Sequence, residues 1–292
     1  MTATVTETWI PAASFRMGSD GHHAEEGPAR TVEVDGFWID THAVTNRQFA
    51  VFVADTGYTT VAEHPLDPAA FPAVQDLSGG SMVFQRTRGA VDLGRMDQWW
   101  EWTPGASWKH PEGPGSTIDD RLEHPVVHIA FADARAYAEW AGRALPTEPE
   151  WELAARGGLD GATYTWGDEP EPPGERFANY WHGAFPYRAE PGYGTTAPVG
   201  SFPPNGFGLY DMAGNVWEWT KTWFEPRFDP AQPHVRIPRR VVKGGSFLCA
   251  DSYCSRYRPA ARRPQMIDTG MSHLGFRTVR REAASIDRGG RP

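Results

Sequence analysis

The sequence predicts a loop-rich α+β protein. Two observations carry that prediction. Few segments hold a helical period, and glycine, proline and tryptophan are all abundant, at 31, 26 and 13 of 292 residues. Such a mixture suits irregular segments pinned by large aromatic side chains better than a helical bundle. The length suits one large domain or two small ones, with ample chain to bury a core.

Ser14–Met17, Thr31–Val34 and Phe37–Ile39 read as short strands around a charged loop from Gly18 to Pro28. Thr31–Val34 alternates polar and apolar residues, as a half-buried strand does. Thr45 or Asn46 caps a first helix with Phe49, Phe52 and Val53 on one face and Gly57 at its end. The stretch from Tyr58 to Gly94 has no sustained period and reads as a long irregular insertion, of a kind that is usually functional or mobile. Next, Trp99, Trp100, Trp102 and Trp108 fall within ten positions. They make either a packed aromatic wall or the floor of a groove for an extended peptide.

His124–Ala130 reads as a strand entering a helix. On a strand His124 and His128 share a face, which invites a metal, but no carboxylate follows at residue 130 and a structural role is the preferred reading. Asp133 caps a second helix with Ala136, Tyr137, Trp140 and Ala141 as its buried stripe, closed by Gly142 and Pro146. Thr147 and Glu150 form the capping box of a third, running from Trp151 to Arg156. From Gly161 to Arg280 helical periodicity is almost absent, which predicts short strands and ordered loops. No internal repeat is apparent, and the tail Glu282–Pro292 reads as frayed.

The net charge of −9, from 28 basic and 37 acidic residues, gives no support to nucleic-acid or anionic-membrane partners. No apolar run approaches the ~20 residues of a membrane span. The opening stretch MTATVTETWIPAASF has neither a basic nor an apolar signal region. Two cysteines build no disulfide framework. Two free thiols in a reducing cytoplasm fit better, with one local disulfide as the alternative. Arg256, Arg258, Arg262 and Arg263 form a basic cluster on this acidic chain. Ion pairs within the protein are the main reading, and help in orienting a peptide is the lesser one.

Both cysteines, Cys249 and Cys254, lie in VVKGGSFLCADSYCSRYR (Val241–Arg258). Residues five apart are separated by roughly 140° around a helix, and an odd separation sends side chains to opposite faces of a strand. For both sulfurs to serve one site the segment must bend, and Ala250-Asp251-Ser252 is suitable material.

The blocks FRMGS (Phe15–Ser19), VTNRQFAVFVADTGY (Val44–Tyr58), HPVVHIAFADARAYAEWAGRALPTEPEWELAARGG (His124–Gly158), PPNGFGLYDMAGNVWEW (Pro203–Trp219), GGSFLCADSYCSRYRPAAR (Gly244–Arg262) and HLGFR (His273–Arg277) stand in an order that resembles the formylglycine-generating enzymes, or sulfatase-modifying factors. The resemblance implies a single domain, residues 1–281, with the loop-rich variant of the C-type-lectin fold, followed by the tail 282–292. It implies an oxidase that converts the cysteine of a C-x-P-x-R segment in an unfolded sulfatase to Cα-formylglycine. Such an enzyme consumes O2 and draws electrons from an external thiol.

Cys249 and Cys254 match the two thiolate ligands of Cu(I) in that family. Soft thiolates suit Cu(I), whereas zinc wants about four ligands. Ser246 and Trp217 match residues of the metal and oxygen site, and Tyr253 lies between the two cysteines. Structural calcium is implied at Asp211, Gly214, Val216 and Glu218, and at a second set of Asn179, Tyr180 and Tyr193. There the family's aspartate falls near Pro191, with Glu190 the one candidate substitute. Many members carry histidine where this chain has Ala250 and asparagine where it has His273. A near-neutral titration of His273 is expected to tune the oxygen pocket. A monomer in the cytoplasm is expected. Competing functions are an iron-dependent sulfoxide synthase and a non-catalytic lectin-fold binding module.

Overall fold

In a computed structural model, residues 6–69 and 75–282 are described. The predicted tail lies outside them but for residue 282, as does part of the Tyr58–Gly94 insertion. The chain begins with strands β1 (Glu7–Ile10), β2 (Ala13–Met17), β3 (Arg30–Val34) and β4 (Phe37–Asp40), then helix α1 (Asn46–Thr56). β5 (Gly80–Phe84) and β6 (Trp100–Pro104) precede helices α2 (Phe131–Trp140) and α3 (Glu148–Arg156). The second half holds β7 (Gly183–Ala184), β8 (Arg188–Ala189), β9 (Trp217–Trp223), β10 (Arg239–Lys243), β11 (Arg262–Met266), β12 (Leu274–Gly275) and β13 (Val279–Arg280). No helix among the described residues is long and apolar enough to cross a membrane.

Local chemistry sets the helix ends. Thr45 accepts from the Gln48 N–H and closes a capping box, and left-handed Gly57 ends α1. The Thr147–Glu150 box opens α3 as expected. α2 differs from expectation. It starts at Phe131, and Asp133 sits in its first turn, where it accepts the Ala130 N–H at 2.9 Å. Its buried stripe is Ala134, Tyr137 and Ala138, with Ala136, Trp140 and Ala141 at the margin. His124–Ala130 forms no strand. The Val126 N–H donates to the Val44 carbonyl, while the Val44 N–H goes to Phe276, and His128 has a left-handed φ of 61°. The insertion expected to be irregular contains β5, which pairs along its whole length with β6.

The site rests on a four-stranded sheet in the order β11-β10-β9-β12, with β12 parallel to β9. A second sheet, β1-β4-β13, packs with α3 into its own apolar cluster. The largest cluster unites α1 and α2 with Trp217, Trp219 and both cysteines. A third gathers Trp99, Trp181, Phe185, Phe247, Leu248 and Ala250. The sheet thus carries the cysteine segment between two aromatic layers.

Candidate active site

β10 ends at Lys243, and the chain turns through Gly244 and Gly245 at φ 93° and 75°. A Cβ at Gly245 would lie 2.8 Å from the Arg256 carbonyl, so only glycine lets the two arms of the cysteine loop approach this closely. The expected bend is present. The Ala250 carbonyl accepts from the N–H groups of Tyr253, Cys254 and Ser255. That turn brings the free thiols of Cys249 and Cys254 to an Sγ–Sγ separation of 2.8 Å, with the side chains 1 % and 6 % exposed.

The thiols differ electrostatically. Burial pushes Cys249 well above the ordinary thiol range. The hydrogen bond from Cys249, then the Arg263 and Arg256 guanidinium charges, outweigh burial at Cys254 and draw it down to about 6. Of the two, Cys254 is therefore the thiol whose anion the surroundings favour.

A cavity of ≈ 10 Å³ faces the sulfurs, about the space of one water molecule. Trp217, Ser246, Tyr253 and His273 all line it. Trp99, Trp100, Phe185 and Arg263 line it as well. The tandem tryptophans were visible in the sequence as a cluster but gave no direction, and nothing marked Phe185. Tyr253 stacks on Phe185 at 4.7 Å and meets the Trp99 ring edge-on at 5.5 Å. Trp102 is exposed and Trp108 packs on Phe49, so only two of the four tryptophans build this wall.

His273 is held otherwise than expected. Burial, and then the Arg263 charge, push its pKa well below the neutral range, so it stays uncharged and does not titrate near neutrality. The Leu248 N–H donates to Ser246 Oγ. The same hydroxyl is in hydrogen-bond contact with His273 Nδ1 at 3.1 Å. Ala250 packs into the third aromatic cluster.

His124 and His128 are not a metal pair. His124 Nδ1 meets Thr196 Oγ1 at 2.9 Å, while buried His128 bonds the Pro111 carbonyl through Nε2 at 2.8 Å. The described residues contain no group of three His, Cys, Asp or Glu side chains placed to hold a metal ion.

The two oxygen sets meet. Asn179 and Gly214 form a parallel bridge, and a Cβ at Gly214 would lie 2.3 Å from the Asn179 carbonyl. Asn179 Oδ1 and Asp211 Oδ1 are both buried without a hydrogen-bond partner, one in each set, which suits a hard cation. Burial pushes the Asp211 carboxyl up to about 6. Glu218 already accepts from Arg277 Nε and Trp151 Nε1, each at 2.7 Å, and a cation beside Val216 would share that carboxylate. Tyr180 bonds Glu171, its ring and that of Tyr193 flank His182, and Glu190 pairs with Arg176 near the surface.

Fold and site define a loop-rich α+β protein with a buried pair of free thiols at its centre. The chain belongs to the sulfatase-modifying factor family. It matches the family described as "Sulfatase-modifying factor enzyme 1-like domain" over residues 2–282. It is 55% identical over 287 residues to the formylglycine-generating enzyme of Mycobacterium tuberculosis, covering 92% of this chain and 96% of that one. It is 45% identical to the mouse formylglycine-generating enzyme, covering 92% and 73%. A mouse relative named as an inactive Cα-formylglycine-generating enzyme 2 is 41% identical, covering 92% and 83%. Among solved structures, PvdO from Pseudomonas aeruginosa shares the fold, with a TM-score of 0.60, 23% identity and coverage of 94% and 93%.

Proposed function

We propose that this chain converts the cysteine of a C-x-P-x-R segment in an unfolded sulfatase to Cα-formylglycine, with Cu(I) held by Cys249 and Cys254. The observation that carries the reading is the pair of buried free thiols 2.8 Å apart, facing a cavity with no third metal-ligand side chain grouped with them among the described residues. A soft two-sulfur donor set with an open side suits Cu(I) and leaves a place for a substrate thiol. Family likeness alone does not carry activity, since a relative 41% identical is named inactive.

The stoichiometry follows from electron counting. Turning the side chain –CH2SH into –CHO with loss of sulfide removes two electrons from the β-carbon. Reducing O2 to the level of water takes four, so two further electrons come from an external thiol as it becomes a disulfide. Bound Cu(I) would supply thiol deprotonation and electron transfer to O2.

The chain's own residues prepare that chemistry. The Arg263 and Arg256 charges favour the anion of Cys254. Ser246 and uncharged His273 line the cavity as a fixed hydrogen-bonded pair, so no mobile proton enters from the imidazole. Trp99, Trp100 and Phe185 keep bulk water from the sulfurs. Calcium is proposed in a structural role at the partnerless oxygens of Asn179 and Asp211.

Co-production with a sulfatase fragment bearing C-x-P-x-R tests the function in cells. Mass spectrometry should find an aldehyde in place of the thiol. A fragment recovered fully as cysteine, beside soluble folded enzyme, would overturn the reading.

A further inference from the structure

Four arginines stand within eight positions after the cysteine loop, and the structure separates them. Arg256 pairs with Glu25, Arg258 with Glu26 at 2.6 Å, and Arg262 with Glu148 at 2.7 Å. Arg263 is half-buried and pairs opposite Val242 in the β10–β11 ladder, but its guanidinium makes neither a hydrogen bond nor an ion pair among the described residues.

Its place is equally distinct. Arg263 lines the cysteine cavity and also a recess of ≈ 280 Å³ that contains Cys254, Tyr253 and Met96. At Arg263 and Pro264 that recess meets a groove of ≈ 410 Å³ walled by Val235, Ile237, Met266 and Met271. The other charges along this path cancel in pairs, Glu25 with Arg256 and Asp229 with Arg239. Arg263, whose charge favours the Cys254 anion, therefore stands without a carboxylate partner among the described residues, where the thiol cavity opens into an apolar groove.

We propose that Arg263 is a specificity-determining residue that receives a carboxylate side chain of the substrate peptide, on the stretch preceding the reacting cysteine. The inference rests on the formylglycine reading and goes beyond it by naming a preference outside the C-x-P-x-R motif. A guanidinium is a planar donor matched to a carboxylate, and apolar walls strengthen the attraction by excluding water. The motif's own arginine is repelled by Arg263, so the segment after the cysteine runs the other way and the preceding residues meet the groove. The protein's net charge of −9 disfavours acidic peptides at long range, which makes the selection local.

The test uses the full chain with peptides of the form C-x-P-x-R that carry Glu or Gln at each position before the cysteine. Affinity is read by fluorescence anisotropy on Cys→Ser versions, and turnover on the cysteine versions. The wild type should bind one Glu peptide about fivefold more tightly than its Gln twin, an advantage that shrinks with added salt. Arg263→Gln should erase the preference, Arg263→Lys should keep part of it, and Arg263→Glu should reverse it toward a Lys peptide. Equal binding of Glu and Gln peptides by the wild type overturns the assignment. So does a preference that survives Arg263→Gln. Turnover of the Gln peptides separates the two readings. Conversion without charge preference sinks only the role of Arg263, whereas a charge preference in binding without conversion of any peptide sinks the formylglycine reading.

Discussion

His23 Nε2 lies 3.0 Å from the carbonyl oxygen of Cys254, across 231 residues of sequence. The charged loop after β2 thereby clamps one arm of the thiol site. Glu25 grips Arg256 in the same loop, and Glu26 holds Arg258 through two bonds of 2.6 and 2.8 Å, with both side chains nearly inaccessible. Replacing Glu26 by Ala strands a buried guanidinium, which costs about 3–5 kcal/mol. Denaturant unfolding of Glu26→Ala should show a loss of that size, with turnover per folded molecule reduced as Cys254 loses its fixed position. Unchanged stability would mean the clamp is ornamental.

The unequal thiols predict a titration. In metal-free protein the ultraviolet absorbance of thiolate should rise with pH through a midpoint near 6, the value to which Cys254 is drawn. Below that midpoint Cys254 is protonated, and above it the anion is present. Cys254→Ser should abolish the transition. Cys249→Ser removes the largest lowering influence, the Cys249 hydrogen bond, so it should move the midpoint upward. Two thiols titrating together at the ordinary value would contradict the assignment.

The calcium proposed at Asn179 and Asp211 predicts a metal-dependent melting temperature. A ligand present at a hundred times its Kd stabilises by about 2.7 kcal/mol. Chelation should therefore lower Tm by several degrees, calcium should restore it, and Asp211→Asn should remove the difference. A Tm indifferent to chelator would leave the two partnerless oxygens to ordered water.

Much of this was legible because it is local. The cap at Thr45 and the capping box of Thr147 and Glu150 each lie within four residues, and the bend at Ala250 followed from the impossibility of joining residues five apart on any regular element. Asp133 was misplaced by three residues because an aspartate serves either at a cap or in the first turn, and only the Ala130 N–H decides between them. Strand β5 was missed since its order comes from β6, about twenty residues on. The identity of the thiol pair was likewise visible, but its aromatic enclosure was not, because the count of tryptophans carries no direction. Arg263 could not be told from its three neighbours, whose partners lie 114 to 232 residues away. His273 looked like a neutral-pH switch until its complete burial was known.

The most direct test of the central claim is a reconstituted reaction. Purified protein is loaded anaerobically with Cu(I), then given a C-x-P-x-R peptide, air and a thiol reductant, beside Cys249→Ser and Cys254→Ser. The account predicts loss of the peptide thiol with matching appearance of an aldehyde in the wild type, and in neither variant. An unconverted peptide, with both cysteines reduced and copper bound, would contradict it.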